Sequence, residues 1–466
     1  MVIRILASFA LTCLPLLCAP PEVDWKAQQT EILRHFSELI RIDTSNPPGN
    51  ETKAVEYLER ILHAEGIETR RFAMTPARAN LVARIKGNGR KRPLLFLGHT
   101  DVVGVQREKW PLDPFGAIRR DGYIWGRGTV DDKPHVVAGL MTLLLLKRTG
   151  TPLDRDVIFL AEPDEEGNGP HGINFMVDRH FGEIEAEYAL AEGGGATLRN
   201  GRVFTVEIQT TQKTPRGVRL VARGTAGHGS RPRKDNAVTR IAAAAARVGT
   251  WETPMRLNDT TRTYFERLAG IAPPEQAERY KGLVDPAKTA AIQKYLAEHE
   301  PGHYSMLRTS VVPTVIKGGF RLNVIPSEAE ALIDIRALPD EDMDRFLADM
   351  RKVIGDPDIH VESALKLVRP PAPPSRLDTE AFRAIESVSR RMFPGATVLP
   401  VMSTGATDMA QLRARGIASY GFGPASTEDD RINYGAHSDV ERLREDALYS
   451  FVEFSWRTIL EIAGAR

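Results

Sequence analysis

Histidine and carboxylate side chains follow three short apolar runs of this chain, at the point where each run ends. They are His99 and Asp101 after Leu94–Leu97, Glu165 and Glu166 after Val157–Leu160, and Glu192 after Tyr188–Ala191. A mixture of imidazole nitrogens and carboxylate oxygens is a ligand set that suits zinc or a similar divalent ion. The pattern therefore indicates metal chemistry.

A fourth group of potential ligands, Asp131 and Asp132, lies in a glycine-rich turn that begins at Gly126. Each feature alone has a plainer interpretation. A lone histidine after a strand is commonly structural, paired acidic residues commonly face solvent, and two aspartates can begin a helix. Glu192 precedes three glycines and could belong to a flexible turn. All four features nevertheless fall at predicted sheet edges, and this coincidence favours a shared metal site.

The elements that must position these residues alternate between short apolar strands and helices. Val157–Leu160 and its counterparts are almost continuous apolar runs, which is typical of strands covered on both faces. Helical spacing occurs between them, for example from Val136 to Lys147. This alternation predicts an α/β sheet, whose ligands gather beyond the carboxyl ends of the strands. His99, Glu165 and Glu192 should therefore face one crevice.

The middle of the chain predicts a smaller α+β domain inserted in the first. Alternating residues begin near Val203, and an alanine-rich helix, a strand at Leu332–Ile335 and a helix ending near Ile354 follow. We predict a catalytic domain formed by residues 25–203 and 367–466, with residues 204–366 as an inserted lid. The polar segment 255–310 is expected to elaborate the lid. The proline-rich run that starts at Arg369 is expected to be the return linker.

The ordered motifs resemble those of the M20 metallopeptidase family, which includes carboxypeptidases, aminoacylases and succinyl-diaminopimelate desuccinylases. The residues that carry the resemblance are His99 and Asp101, Gly126 to Lys133, Asp164 to Glu166, Glu192 with Gly193, and the distant His437. The resemblance implies a zinc-exopeptidase-like three-layer catalytic domain with an inserted ferredoxin-like lid for dimerisation. It also implies hydrolysis of the amide bond of a peptide or N-acyl amino acid with a free carboxylate. The turn after Glu166 departs from the family pattern, and its His171 is expected to face solvent.

A site with two divalent metal ions is also implied by the resemblance. One ion would be held by His99, Asp131 and Glu192, and the other by Asp131, Glu166 and His437, so that Asp131 bridges them. Zinc is the expected metal, with cobalt or manganese as alternatives. Metal-activated water would be the nucleophile and Glu165 the general base. Asp101 would orient His99, and the family's cis peptide would join Asp131 to Asp132.

The resemblance further assigns roles to the lid and to a late loop. His228 would stabilise the tetrahedral oxyanion, and in dimeric members this histidine comes from the partner subunit. Arg336 is the expected clamp for the substrate carboxylate, because a guanidinium binds a carboxylate in a two-pronged way. Asn323, Gly405 and Thr407 would complete the substrate contacts. An exposed strand arginine is the plainer interpretation of Arg336. A homodimer formed through the lid is the expected assembly.

The charge composition and the N-terminal segment restrict the classes of binding partner and the expected cellular location. The 466 residues carry 62 basic and 61 acidic side chains, and this balance gives no electrostatic reason to bind nucleic acid or an anionic membrane. Arg4 and the apolar run Ile5–Leu17 predict a signal peptide over residues 1–20, which is too short to span a bilayer. A secreted or periplasmic protein is expected, with lipid attachment at Cys18 as the weaker alternative. Both cysteines lie in this segment, so the mature chain is expected to contain none.

Two other functions remain open at this stage. A catalytically silent binding protein of the same fold should have lost a ligand or the base, whereas this chain keeps the full set. A two-metal hydrolase of another class, such as a phosphoesterase, should show more basic groups near the crevice. Such an enzyme has no evident use for Arg336 and the lid.

Overall fold

A computed structural model describes residues 22–465, in which a large mixed sheet of ten strands forms the centre of the catalytic part. In spatial order its strands are Thr69–Ala73, Ala79–Ile85, Val157–Glu162, Leu94–His99, Tyr188–Ala191, Ala418–Gly421, Arg202–Gln212, Gly195–Arg199 and Ala425–Ser426, and Thr397–Ser403 also pairs with Arg202–Gln212. The predicted signal peptide, residues 1–20, lies outside the described residues.

Four neighbouring strands of this sheet run parallel to one another. The strand Leu94–His99 pairs with Val157–Glu162 on one side, where His99 lies opposite Glu162. On its other side it pairs with Tyr188–Ala191, where Leu94 lies opposite Tyr188. The strand Ala418–Gly421 continues the parallel set beside Tyr188–Ala191. The carboxyl ends of these strands therefore open on one edge of the sheet. The strands predicted at the three apolar runs are confirmed.

Alternate side chains of the central strands pack into two cores, one on each face of the sheet. The first core contains Leu94 and Phe96 and is covered by the helices Trp25–Arg41, Thr52–Ala64, Lys133–Thr149, Glu380–Met392 and Glu445–Ala463. The second contains Leu95 and Leu97 and is covered by Ile173–Arg179, Phe181–Ile184 and Met409–Ala414. This arrangement is the three-layer architecture that the family resemblance implies.

The helix Lys133–Thr149 packs very closely on the sheet, and almost all of its residues are buried. A Cβ atom added at Gly139 would lie 2.3 Å from the ring of Phe159, so only glycine allows this approach. The close packing fixes the start of the helix, and the glycine-rich turn that contains Asp131 immediately precedes it.

A separate antiparallel sheet of five strands forms the lid. Its strands are Thr214–Pro215, Val218–Arg223, Ser310–Gly318, Glu328–Ala337 and Ile359–Ser363. The helices Ala237–Gly249 and Met343–Ile354 share an apolar core with this sheet. The boundary predicted between residues 203 and 204 falls inside Arg202–Gln212, which belongs to the large sheet along its whole length. Sequence alternation misplaces this junction because it continues from one sheet into the next without a break.

Four further helices, Asp259–Ala269, Pro274–Lys281, Thr289–His299 and Pro301–Met306, form the polar segment of the insert. Their apolar side chains share a core with Met402 of the large sheet and with Leu338 next to the lid sheet. The segment therefore joins the two sheets instead of extending the lid alone. The sequence does not predict this arrangement, because the period of an amphipathic helix shows which face is buried but not what covers it.

Further short elements lie outside these two large sheets. They are the strands Ser45–Asn46, Val102–Val103, Ile118–Arg120, Tyr123–Trp125, Gly227–His228, Val324–Ile325 and Arg442–Arg444, and the helix Glu428–Asn433. Between residues 22 and 465, no helix has both the length and the apolar character that crossing a membrane requires.

Candidate active site

Asp131 lies between two histidines that are far apart in the sequence. Its Oδ1 is 2.8 Å from His99 Nε2, and its Oδ2 is 3.3 Å from His437 Nε2. A carboxylate that turns one oxygen towards each of two imidazoles has the geometry of a bridging ligand. The peptide bond between Asp131 and Asp132 is cis, which confirms the prediction.

Glu192 and Glu166 complete the two halves of this cluster. Glu192 Oε2 is 3.8 Å from His99 Nε2, and the Glu166 carboxylate is 3.1 Å from His437 Nε2. Donor atoms of His99, Asp131 and Glu166 lie within 4.8 Å of one another. The structure thus brings together all five predicted metal ligands.

Asp132 also lies within ligand distance of His99 and Glu192. Its carboxylate, however, is engaged elsewhere. Oδ2 accepts the backbone N–H of His99 at 3.3 Å, and Oδ1 contacts the ring of the buried His135. Asp131 is therefore the better bridging ligand. Asp132 stabilises the position of His99 through its backbone.

Asp101 orients His99 and joins two of the strand ends. The Nδ1 atom of His99 donates to the backbone oxygen of Asp101 at 3.0 Å, and the carboxylate of Asp101 is 3.4 Å away. The Nε2 atom is thereby left for a metal. The same carboxylate accepts the backbone N–H groups of Glu165 and Glu166, each at 3.2 Å. Asn46 donates to it as well, at 2.8 Å.

Glu441 supports the turn that contains Asp131, a role that the sequence did not reveal. This fully buried carboxylate accepts the N–H groups of Val130 at 2.7 Å and Gly128 at 3.1 Å. It also forms an ion pair with the guanidinium of Arg127 at 2.6 Å. No local pattern signals this contact, because Glu441 and Val130 are 311 positions apart.

Glu165 is held by a buried arginine that sequence reasoning treated only as the start of a linker. Arg369 Nη2 lies 2.7 Å from Glu165 Oε1, and Arg369 Nη1 lies 2.8 Å from Asp408 Oδ1. All three side chains are buried. The predicted base therefore has a fixed position beside the metal ligands.

Burial and charge crowding shift the protonation of the cluster. Burial raises the pKa of Glu165 to about 8, although Arg369 opposes this shift. Burial and the negative charges of Glu165 and Asp131 raise the pKa of Glu192. Hydrogen bonds to Asp131 and Glu166 raise the pKa of His437 to about 10. Crowded carboxylates with two imidazoles are a donor set that fits divalent cations.

The unusual turn after Glu166 is braced from within, and the expectation that His171 faces solvent is wrong. His171 Nδ1 lies 2.7 Å from Asp164 Oδ2, and its side chain is only 21% exposed. Asp164 also contacts Arg78 and Asn46, each at 3.0 Å. The turn therefore closes around this one carboxylate.

The predicted substrate contacts of the lid lie apart from the metal ligands. The guanidinium of Arg336 is 3.0 Å from Asp334, and the exposed ring of His228 is 2.7 Å from Ser230 Oγ. The exposed Asn323 accepts the N–H of Gly229 through its backbone oxygen at 2.9 Å. Within residues 22–465, no hydrogen bond or ion pair connects these three lid residues to the ligand cluster.

The late loop presents its two predicted contacts differently. Gly405 is exposed, and its N–H donates to Ser403 Oγ at 3.1 Å. Thr407 is buried, and its hydroxyl donates to Gln212 Oε1 at 2.8 Å. Gln212 also accepts from the buried Arg413 at 2.6 Å. The side chain of Thr407 therefore braces the loop instead of facing the crevice.

A cavity of about 420 Å³ adjoins the cluster. Asp131 and Glu192 line it, together with Gly193–Ala196, Gly423–Ser426 and residues of the segments 430–436 and 442–444. The volume lies within the range of small-molecule sites. The cavity can therefore hold a group attached to the bond that reacts at the cluster.

Two curated relatives are similar to the chain along most of its length. Aminoacylase-1 of Mus musculus is 28% identical over 418 residues, which covers 88% of this chain and 90% of the relative. An N-fatty-acyl-amino acid synthase/hydrolase of Homo sapiens is also 28% identical, over 382 residues, covering 79% of this chain and 74% of that protein.

Solved structures show the same fold. An M20 family metallo-carboxypeptidase from Sulfolobus solfataricus has a TM-score of 0.71 at 18% identity and covers 93% of this chain and 99% of its own. A dinuclear metal-binding M20 peptidase from Bacillus subtilis has a TM-score of 0.59 at 17% identity, with coverages of 93% and 99%. The model of peptidase family M20/M25/M40 matches residues 95–461. The chain therefore belongs to peptidase family M20/M25/M40 and is a hydrolase of that family.

Proposed function

We propose that the protein uses two divalent cations to hydrolyse the amide bond of a small peptide or N-acyl amino acid with a free carboxylate. The observation that carries this proposal is the position of Asp131, whose two oxygens face His99 and His437. The names of the similar proteins agree with this substrate class, since they describe an aminoacylase, an N-fatty-acyl-amino acid hydrolase and a metallo-carboxypeptidase.

The ligand cluster divides into two cation sites. One site comprises His99, Asp131 and Glu192, and the other comprises Asp131, Glu166 and His437. Zinc fits this mixture of imidazole and carboxylate, and cobalt or manganese can occupy similar sets. When bound, the two cations supply Lewis-acid chemistry that polarises the scissile carbonyl and lowers the pKa of a water molecule.

Glu165 is the proposed general base. It accepts a proton from the attacking water at its carboxylate and later delivers a proton to the leaving nitrogen. The carbon–oxygen bond forms first and gives a tetrahedral oxyanion. The carbon–nitrogen bond then breaks as the nitrogen receives the proton, and the products are a carboxylate and an amine. The burial of Glu165 supports this role, because a base removed from bulk water keeps its proton for the leaving group.

The two ends of the substrate would occupy different parts of the crevice. Arg336, Asn323 and Gly405 are the proposed contacts of the free carboxylate, with Thr407 bracing the loop from behind. The cavity of about 420 Å³ beside Asp131 and Glu192 would hold the acyl group or amino-terminal residue. Its size supports groups larger than acetyl.

A homodimer formed through the lid is the proposed assembly. Ser310–Gly318 is an edge strand of the lid sheet, and its Val312 and Ile316 expose about half of their side chains. Exposed apolar residues on a sheet edge favour pairing with a second chain. In such a dimer, His228 of one subunit would serve the crevice of the other. We further propose export to the periplasm or medium, with lipid attachment at Cys18 as the less favoured route.

A substrate panel tests the function. Metal-loaded enzyme should hydrolyse some of the dipeptides and N-acyl amino acids offered, and should lose this activity in the presence of a chelator. A generic phosphoester should remain uncleaved. Cleavage of the phosphoester alone would favour the other class of two-metal hydrolase. Tight metal binding with no cleavage of any compound would favour a silent binding protein.

A further inference from the structure

Within residues 22–465, Arg369 is the only residue whose side chain forms a hydrogen bond with the carboxylate of Glu165. Its Nη2 lies 2.7 Å from Glu165 Oε1 and 3.4 Å from the backbone oxygen of the same residue. Its Nη1 lies 2.8 Å from Asp408 Oδ1. The guanidinium, which is 5% exposed, is thus clamped between two buried carboxylates.

This arrangement fixes one oxygen of Glu165 and leaves the other without a side-chain partner. A glutamate has three rotatable side-chain bonds, and a free glutamate would sample many positions relative to the reacting bond. The planar fork of an arginine removes this freedom, because it restricts direction as well as distance. A lysine at the same position would supply charge without the fork.

The lid holds the same arginine by its backbone. Arg216 lies in the lid between the strands Thr214–Pro215 and Val218–Arg223, and its Nη1 donates to the backbone oxygen of Arg369 at 2.8 Å. The same Nη1 also donates to the backbone oxygen of Pro215 at 3.0 Å, and the backbone N–H of Arg216 donates to Ile335 in the lid sheet at 2.8 Å. A chain of hydrogen bonds therefore runs from the lid through Arg369 to Glu165.

We propose that Arg369 is a positioning residue that aligns the Glu165 carboxylate and couples that alignment to the lid through Arg216. The proposal rests on Glu165 being the base of the proposed function. Among the described residues, Arg369 forms no hydrogen bond or ion pair with the five proposed cation ligands. Its effect should appear in turnover and not in metal or substrate binding.

The first test compares Arg369→Met and Arg369→Lys with Arg376→Met in the full-length, metal-loaded enzyme. Arg376 is a matched control, because it lies on the same return segment but its side chain is exposed and, within residues 22–465, forms an ion pair with Asp378 alone. Arg369→Met should lower kcat about 100-fold, the size of effect that a displaced catalytic group produces. KM and metal content should stay within about twofold of wild type, and Arg369→Lys should fall between the two.

Three results would overturn the proposal. The first is a wild-type kcat for folded Arg369→Met. The second is a fall in kcat that is matched by a loss of bound metal, because this would show a merely structural role. The third is a wild-type kcat for Arg369→Lys, which is decisive if Arg369→Met does not fold. Glu165→Gln distinguishes a failure of the proposed base from a failure of the proposed role of Arg369. If that variant stays active, the proposed base is wrong; if it is inactive while the Arg369 variants are normal, only this inference fails.

A double-mutant cycle tests the link to the lid. Arg216→Met should lower kcat about fivefold, the effect of losing a single hydrogen bond. Because Arg216 acts through Arg369, adding Arg216→Met to Arg369→Met should cause no further loss. Additive losses would show that Arg216 and Arg369 act separately and would remove the coupling from the proposal.

Discussion

The ligand cluster and the lid face differ in how far the protein itself holds their side chains. The ligand cluster comprises His99, Asp131, Glu166, Glu192 and His437 and is compared together with the adjacent Glu165. The lid face comprises His228, Asn323 and Arg336. In the cluster, His99 is 2% exposed and is bound by Asp101, while Glu165 is bound by Arg369. On the lid face, Arg336 is 36% exposed in its side chain and pairs with its near neighbour Asp334.

This difference suggests that the cluster determines the rate of the chemical step and that the lid face determines substrate binding. Most of the cluster is built on the ends of buried strands or on the turn before the buried helix Lys133–Thr149, so its geometry is largely set before a substrate arrives. His437, whose side chain is 53% exposed, is the exception. The lid face has few internal partners, and its groups remain available to a carboxylate. Changes in the cluster should therefore affect metal content and kcat, whereas changes on the lid face should affect KM.

The largest effect is expected from Asp131→Asn. The variant should bind fewer than two metal ions per chain and lose at least about 1,000-fold in kcat, because cations supply several kcal/mol of charge stabilisation. Metal content by mass spectrometry and kcat on the best substrate of the panel measure the two effects. Asp178→Asn is the control, since Asp178 is an exposed carboxylate on the same domain. Two ions retained in Asp131→Asn would contradict the bridging role.

A smaller effect of the opposite kind is expected on the lid face. Arg336→Met should raise KM about 10- to 100-fold, the range that losing a charge-assisted hydrogen bond produces, with kcat and metal content unchanged. Arg223→Met is the matched control, because Arg223 is an exposed arginine of the same sheet that pairs with Glu328. Equal KM values for the two variants would leave Arg336 as an ordinary surface residue.

Glu441→Gln tests whether the cluster depends on support from distant residues. The amide keeps the shape of the side chain but removes the charge that pairs with Arg127 and accepts from Val130. Metal affinity should fall about tenfold, which is the lower end of the effect of outer-shell partners. Competition with a chromogenic chelator measures this change. An unchanged affinity would mean that the turn holds Asp131 without Glu441.

The smallest effect is expected at the edge of the lid. Ile316→Asp places a charge on the exposed edge strand and should weaken dimer formation about tenfold, because a buried isoleucine contributes roughly 1.5–3 kcal/mol. Sedimentation over a range of protein concentrations measures the dissociation constant. A monomeric wild-type enzyme with full activity would contradict both the proposed dimer and the proposal that His228 comes from a partner subunit.

Sequence patterns predicted the parts of the site that lie next to strong local signals. The apolar run before His99 predicts a strand. In the structure this strand pairs in parallel with a neighbour on each side, so that His99 lies opposite Glu162 and Leu94 lies opposite Tyr188. His99, Asp131, Glu166 and Glu192 could be found because each stands within a few residues of such a strand end or in a glycine-rich turn. His437 has no such local signal and was identified only through the family resemblance.

The supporting residues could not be found in this way. Arg369 contacts Glu165 across 204 positions, and Asn46 contacts Asp164 across 118. Nothing in the residues around Arg369 distinguishes a buried positioning arginine from the first residue of a proline-rich linker. The junction at residue 203 was misplaced for a related reason, since local alternation does not show which sheet a strand joins.

Anomalous diffraction from crystals grown with zinc shows whether Asp131 bridges two metal ions. Two peaks about 3.5–4 Å apart are expected, one on each side of the Asp131 carboxylate. His99 and Glu192 should surround one peak, and Glu166 and His437 the other. A single peak, or a pair of peaks bridged by Asp132, would contradict the account.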